Sequence, residues 1–159
     1  MATLPLLTEL QKQPFVKEFD SRQIEKLAAV ANAVRFERDH ILFREGDSCS
    51  QFYLIVSGLV ALEIATPGRT FRIETLSAGD EFGWSSVLMD RGKHFQARTL
   101  EDVEALMFEG PDLRAMCEDD PAFGYTLMLR LLGVVSERLQ ATRLQVLDMY
   151  WPDAKRAGA

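Results

Sequence analysis

The hydrophobic period of this chain changes twice along its length, and that switch constrains the fold more than any other feature. Up to about residue 32 the apolar residues recur at helical spacing. Leu6, Leu7 and Leu10 share a short face that Pro14 interrupts, and Ile24, Leu27, Ala28 and Ala31 continue after it. Asp20 followed by Gln23 has the spacing of a capping box, in which each side chain satisfies an orphan amide of the first helical turn. From about residue 33 the period becomes two. Val34-Arg35-Phe36-Glu37, Val60-Ala61-Leu62-Glu63-Ile64 and Phe71-Arg72-Ile73-Glu74 all alternate. Thr66-Pro67-Gly68-Arg69 predicts a hairpin connection, because proline presets φ at the second turn position and glycine supplies positive φ at the third. Glycines at 46, 58, 79 and 92 punctuate the region, and Val103, Leu106 and Phe108 complete its core.

After Gly110-Pro111 the helical period returns. Asp112, Leu113, Met116 and Cys117 suit a short helix, and Asp120-Pro121 places a capping carboxylate ahead of a proline at the first helical position. No proline follows until Pro152, which allows a helix of about 30 residues, some 45 Å long. Helices segregated from antiparallel strands define an α+β architecture. The expected organisation is one domain over 1–159, with N-terminal helices in 1–32, an antiparallel β-roll (a jelly-roll-like double-stranded barrel) in 33–108 and C-terminal helices in 112–150.

Composition narrows the function. A 159-residue chain with 47% hydrophobic residues fills one core and is not a disordered segment. No apolar run reaches the roughly 20 residues a bilayer needs, and Met1-Ala2-Thr3-Leu4-Pro5 lacks a signal-peptide pattern. Cys49 and Cys117 make no disulfide framework, so a cytoplasmic setting is expected. His40 and His94 lack neighbouring ligands at metal spacing, so no metal site is expected. The formal net charge is −6; residues 121–159 hold five cations against three anions, which leaves −8 on the first 120 residues. An acidic body repels a nucleic-acid backbone, and DNA is not an expected ligand.

Within the strand region, Leu42, Gly46-Asp47, Cys49, the apolar run Phe52-Tyr53-Leu54-Ile55 and Gly58 precede Leu76-Ser77-Ala78-Gly79-Asp80-Glu81-Phe82-Gly83. This register resembles the cyclic-nucleotide-binding domain of the catabolite-activator/FNR superfamily over roughly residues 20–150. Phe43 departs from it, standing where a smaller aliphatic side chain is usual. The resemblance implies a ligand cassette after Phe82-Gly83, in which a short helical turn presents backbone amides to a cyclic phosphate, an arginine adds a charge-assisted bond, and a glutamate after the glycine accepts from the ribose. Here Trp84 takes the glutamate's place, and Glu81 falls on the opposite face of an extended strand. Arg91 stands in the arginine register, but the loop before it is short, and Gly92 and Lys93 replace small residues. The candidate ligand-binding residues are therefore Gly83, Trp84, Ser85, Ser86, Arg91 and Lys93, with His94 adding to the basic group. The alternative readings are that Trp84 is core or lid packing and that Arg91 and Lys93 form a solvated hairpin tip.

Other chemistries fail on inventory. An iron–sulfur sensor needs four thiolates and the chain has two cysteines. Gly83-Trp84-Ser85 matches the start of a nucleophile elbow, but Val87 occupies the second glycine position. No catalytic residues are assigned. Transcription factors of the superfamily carry a helix-turn-helix after the long helix; the nine residues Trp151 to Ala159 cannot build one, so the chain resembles free-standing single-domain members. Two functions fit: a sensor that binds a cyclic nucleotide or another small anionic effector in the roll, or a ligand-free interaction module, for a protein partner not identified by the sequence, that kept the fold.

The long helix carries its own signal. Met128, Leu132, Val135, Leu139, Thr142, Val146 and Met149 follow at alternating steps of four and three, a heptad seam that predicts a homodimer. A second stripe, Leu127, Leu131 and Val134, is placed to face the roll.

Overall fold

Local chemistry sets the N-terminal helices where the spacing predicts them. The computed structural model describes residues 4–47, 50–88 and 95–150. Helix α1 spans Leu4–Gln11 and a 3₁₀ turn covers Pro14–Val16. Helix α2 spans Ser21–Val30 and opens with the Asp20 capping box: the Gln23 amide donates to Asp20 Oδ1 at 2.8 Å and the Asp20 amide to Gln23 Oε1 at 3.1 Å.

Eight strands follow: β1 Asn32–Phe36, β2 Ile41–Phe43, β3 Gln51–Ser57, β4 Val60–Thr66, β5 Arg69–Leu76, β6 Glu81–Phe82, β7 Gln96–Thr99 and β8 Val103–Glu109. They form two four-stranded sheets, ordered β1-β8-β3-β6 and β2-β7-β4-β5, and every pairing is antiparallel. Pro67 and Gly68 make the two-residue link between β4 and β5, with Gly68 at φ +78° and the Thr66 hydroxyl donating to the Arg69 carbonyl at 2.8 Å. Gly58, at φ +93°, lies so close to the start of β8 that a Cβ there would sit 2.4 Å from the Asp102 carbonyl oxygen. Only glycine fits this reversal.

The centre of the first sheet, β3 and most of β8, is buried on both faces while its edge strand β1 is largely exposed, and strand alternation explains how. Tyr53 and Ile55 of β3, Val103 and Ala105 of β8 and Phe82 of β6 point into the roll, where they meet Phe43, Val60, Leu62, Leu76 and Ala97 of the second sheet. Phe52, Leu54, Leu106 and Phe108 point the other way, into a core shared with Leu10, Phe15, Phe19, Leu27, Leu113, Phe123, Leu127, Leu131 and Val134 of the helices. Helix α3 (Ser85–Leu88) is a single turn, α4 spans Gly110–Asp119 and α5 spans Pro121–Tyr150. Helix α4 thus begins two residues before the expected position 112. Asp120 caps α5 by accepting from the Phe123 amide at 3.2 Å, and the Lys26 ammonium at 2.7 Å holds its carboxyl below the usual range. Among the described residues no helix is long and apolar enough to cross a membrane.

Candidate functional site

Strand β6 ends at Gly83, whose φ of +84° turns the chain into α3. The amides of Ser86, Val87 and Leu88 donate back to the carbonyls of Gly83, Trp84 and Trp84, at 3.0, 3.1 and 3.2 Å. The Ser86 hydroxyl donates to the Gly83 carbonyl at 2.6 Å. Arg114 of α4 donates to the Ser86 carbonyl, and Gly110 lies so close that a Cβ there would be 2.3 Å from that oxygen. Ser85, Ser86 and Val87 are buried. The turn is thus clamped from behind by the start of α4, and much of its hydrogen-bonding capacity closes on itself.

In front of the turn, a cavity at the mouth of the roll is lined by Phe43, Leu62, Phe82, Gly83, Trp84, Ser85, Phe95 and Arg138. Its volume is about 10 Å³, at the threshold for one water molecule. Aromatic rings fill the space: Phe82 stacks on Tyr53 at 4.7 Å between centroids and meets Phe43 at 6.2 Å. Phe43, the residue that departs from the family register, is therefore part of the plug. Trp84 is half-buried, lining this cavity while packing against the helix-facing core. Of the six residues expected to bind ligand, Gly83, Trp84 and Ser85 line this cavity, Ser86 is buried in the turn behind it, and Arg91 and Lys93, with His94, lie outside the described residues.

Sequence reasoning missed Arg138. It reaches from α5 to the cavity wall, donates to the Glu81 main-chain carbonyl, and places Nε 3.8 Å from Glu74 Oε2. Its position was readable: 138 falls four residues after Val134 and seven after Leu131, so it continues the stripe that faces the roll. Leu127, Leu131 and Val134 are buried there as expected. On the opposite side, Met128, Leu132, Leu139, Thr142, Val146 and Met149 are exposed and Val135 is half-buried. The Thr142 hydroxyl donates to the Arg138 carbonyl of its own helix at 2.9 Å.

A second charged group stiffens the other sheet. Glu63, 2% exposed, accepts from Arg98 Nε at 2.9 Å and Nη2 at 2.8 Å, and from Gln96 Nε2 at 3.0 Å. The Arg98 hydrogen bonds hold the Glu63 carboxyl below its usual range against the opposing effect of burial. Arg98 also reaches Asp39 at 3.3 Å. Cys117 is half-buried and burial raises its thiol pKa, as suits an unreactive packing residue.

Two antiparallel sheets rolled around an aromatic core, a glycine-led turn at the mouth and a long helix reaching back to that mouth define a regulatory domain of the cyclic nucleotide-binding type. The chain belongs to the cyclic nucleotide-binding domain family, whose model matches residues 33–120, just over half of its length. It is 29% identical over 121 residues to a CRP-like cAMP-activated global transcriptional regulator of Mycobacterium tuberculosis, a match covering 76% of this chain and 52% of the relative. The chain therefore spans about half the length of that relative. Among solved structures, a cyclic nucleotide-binding domain from Methylobacillus flagellatus KT superposes with a TM-score of 0.78 at 19% identity, covering 91% of this chain and 82% of that one. The Thermus thermophilus catabolite activator protein superposes with a TM-score of 0.73 at 21% identity, covering 89% and 65%. At these identities the structural likeness speaks for the fold.

Proposed function

We propose that this chain is a non-enzymatic, cytoplasmic regulatory domain that binds a small anionic effector at the mouth of its β-roll and passes the binding event to α5, through which it forms a homodimer. The observation that carries this reading is Arg138. A guanidinium rooted in α5 lines the same cavity as Gly83, Trp84 and Ser85 and is held there by the Glu81 carbonyl. An anion that recruits this guanidinium by a bidentate, charge-assisted contact pulls directly on the helix. The sequence resemblance implies that Arg91 and Lys93, which lie outside the described residues, would add positive charge beside the cassette. DNA remains an unfavourable ligand for the acidic body.

The closed cavity makes cyclic AMP and cyclic GMP weak ligands, because either must first displace Phe43 or Trp84. The missing glutamate removes a charged hydrogen bond, worth about 1.5–3 kcal/mol, or roughly tenfold or more in affinity. Calorimetry with inorganic phosphate, cyclic mononucleotides and cyclic dinucleotides tests the reading. An anion is expected to bind the native chain and to lose most of its affinity in Arg138→Met, while Trp84→Glu improves cyclic AMP binding. Tight cyclic AMP binding by the native chain, or equal binding by Arg138→Met, would overturn it. The filled cavity itself supports a second reading, an interaction module that signals through α5 without an effector; binding of none of these compounds favours it.

A further inference from the structure

Strand β6 is only two residues long, and its side chains point to opposite faces of its sheet. Phe82 enters the roll. Glu81 faces the helices, where it is 8% exposed. Among the described residues its carboxylate takes part in no hydrogen bond and no ion pair. It opens on a cavity of about 100 Å³ between the roll and α5, bounded by Glu74, Leu76, Asp80, Val134, Glu137, Arg138 and Ala141. The charged groups around it come from three elements: Glu74 from β5, Asp80 from the β5–β6 turn, and Arg130, Glu137 and Arg138 from α5. Strand β3, which pairs with β6 through Leu54 and Glu81, carries no charged residue, and neither does the 3₁₀ turn.

Neither arginine neutralises Glu81 by direct contact. Arg138 directs its guanidinium to the Glu81 carbonyl and to Glu74. Arg130 lies over the Phe15 ring at 5.5 Å, with its buried Nε lacking a hydrogen-bond partner. An ionised carboxylate at this junction is therefore desolvated without a direct partner; the nearby charges of Arg138 and Arg130 ease that cost and those of Asp80 and Glu137 add to it, and burial outweighs the arginines.

We propose that Glu81 makes the seat of α5 on the β-roll sensitive to pH, with the protonated carboxyl holding the 134–141 stretch of the helix down and the ionised form loosening it. Burial raises the Glu81 pKa above the usual carboxylate value, with Arg138 opposing. When this stretch lifts, Glu81 meets water and its pKa returns to the ordinary range. The seated state thus binds the proton more tightly. Acid favours seating, and seating weakens as pH rises from the ordinary carboxylate range through the raised value. Each unit of difference between the two pKa values changes the equilibrium about tenfold. The device needs no effector, but it shares Arg138 and α5 with the ligand proposed for the mouth of the roll.

Hydrogen exchange followed by mass spectrometry between about pH 5 and pH 8 tests it, after correction for intrinsic exchange rates. Protection of residues 134–141 in the native chain is expected to fall several-fold as pH rises, while β3 stays unchanged. In Glu81→Gln protection should be high and flat, and Glu81→Leu provides the same readout should the amide variant fold poorly. Glu74→Gln should keep a pH slope. A flat native profile, a slope retained in both Glu81 variants, or a slope abolished only by Glu74→Gln would overturn the proposal.

Discussion

The two halves of α5 are built from similar residues and meet different surroundings. From Phe123 to Val134, Phe123, Leu127, Leu131 and Val134 are each at most 1% exposed, pressed against β3, β8 and α2 side chains in a single core. From Leu139 to Tyr150 every residue is exposed, including Leu139, Leu144, Val146, Leu147, Met149 and Tyr150. The difference is one of reach. A 30-residue helix is about 45 Å long, and a β-roll of short strands covers only part of it. The apolar pattern nevertheless continues to Tyr150, so among the described residues the far half carries an apolar surface that nothing covers, touching β5 through the Gln145 side-chain amide, which donates to the Ile73 carbonyl at 3.2 Å.

The strongest way to break this contrast is truncation on the covered side. Leu131→Ala should cost about 2–5 kcal/mol, since it leaves a cavity in a fully packed site. Leu144→Ala, on the far half, should leave the unfolding midpoint of the isolated subunit within about 0.5 kcal/mol of native. Denaturant titrations of the two variants decide it, and equal losses would mean that both halves are covered in the same way.

Association sharpens the comparison further. The native chain is expected to sediment as a dimer at micromolar concentrations, and Leu139→Glu, which sets two carboxylates across the seam, as a monomer with its fold intact. A dimer that survives this substitution places the interface elsewhere.

A smaller effect separates covered charge from uncovered charge. The Arg98 hydrogen bonds hold Glu63 below the usual carboxylate range. Its contribution is therefore present at neutral pH and is lost as pH falls from that range through its lowered value. Because Arg98 is 30% exposed, the loss on Glu63→Gln at neutral pH should be modest, about 1–2 kcal/mol. Chemical denaturation across acid pH should show a shallower decline in this variant than in the native chain.

The parts of the fold that were legible in the sequence are those written in local chemistry. The Asp20–Gln23 capping box, the Pro67-Gly68 hairpin and the Asp120-Pro121 helix start each depend on residues at most four apart, and each formed as expected. The alternation that sends Phe82 inward and Glu81 outward was also readable. The plug was not. Phe43, Phe82 and Phe95 lie on different strands or loops, and only closure of the roll brings them to one cavity, together with Arg138 from more than 40 residues downstream. The amides of α3 were expected to face a ligand, but three of them close on the turn itself, an arrangement that spacing alone does not reveal.

The double-sided burial of β3 and β8 at the centre of the first sheet has a mechanical consequence. A sheet close-packed on both faces has low compressibility, so it stands as a stiff partition wall between the roll's interior and the helices. The weak point of such a wall is its rim, where β6 hangs by two residues on β3 alone. At that rim two adjacent residues face both compartments, Phe82 the roll's interior and Glu81 the cavity beneath α5, with no further strand beyond them among the described residues.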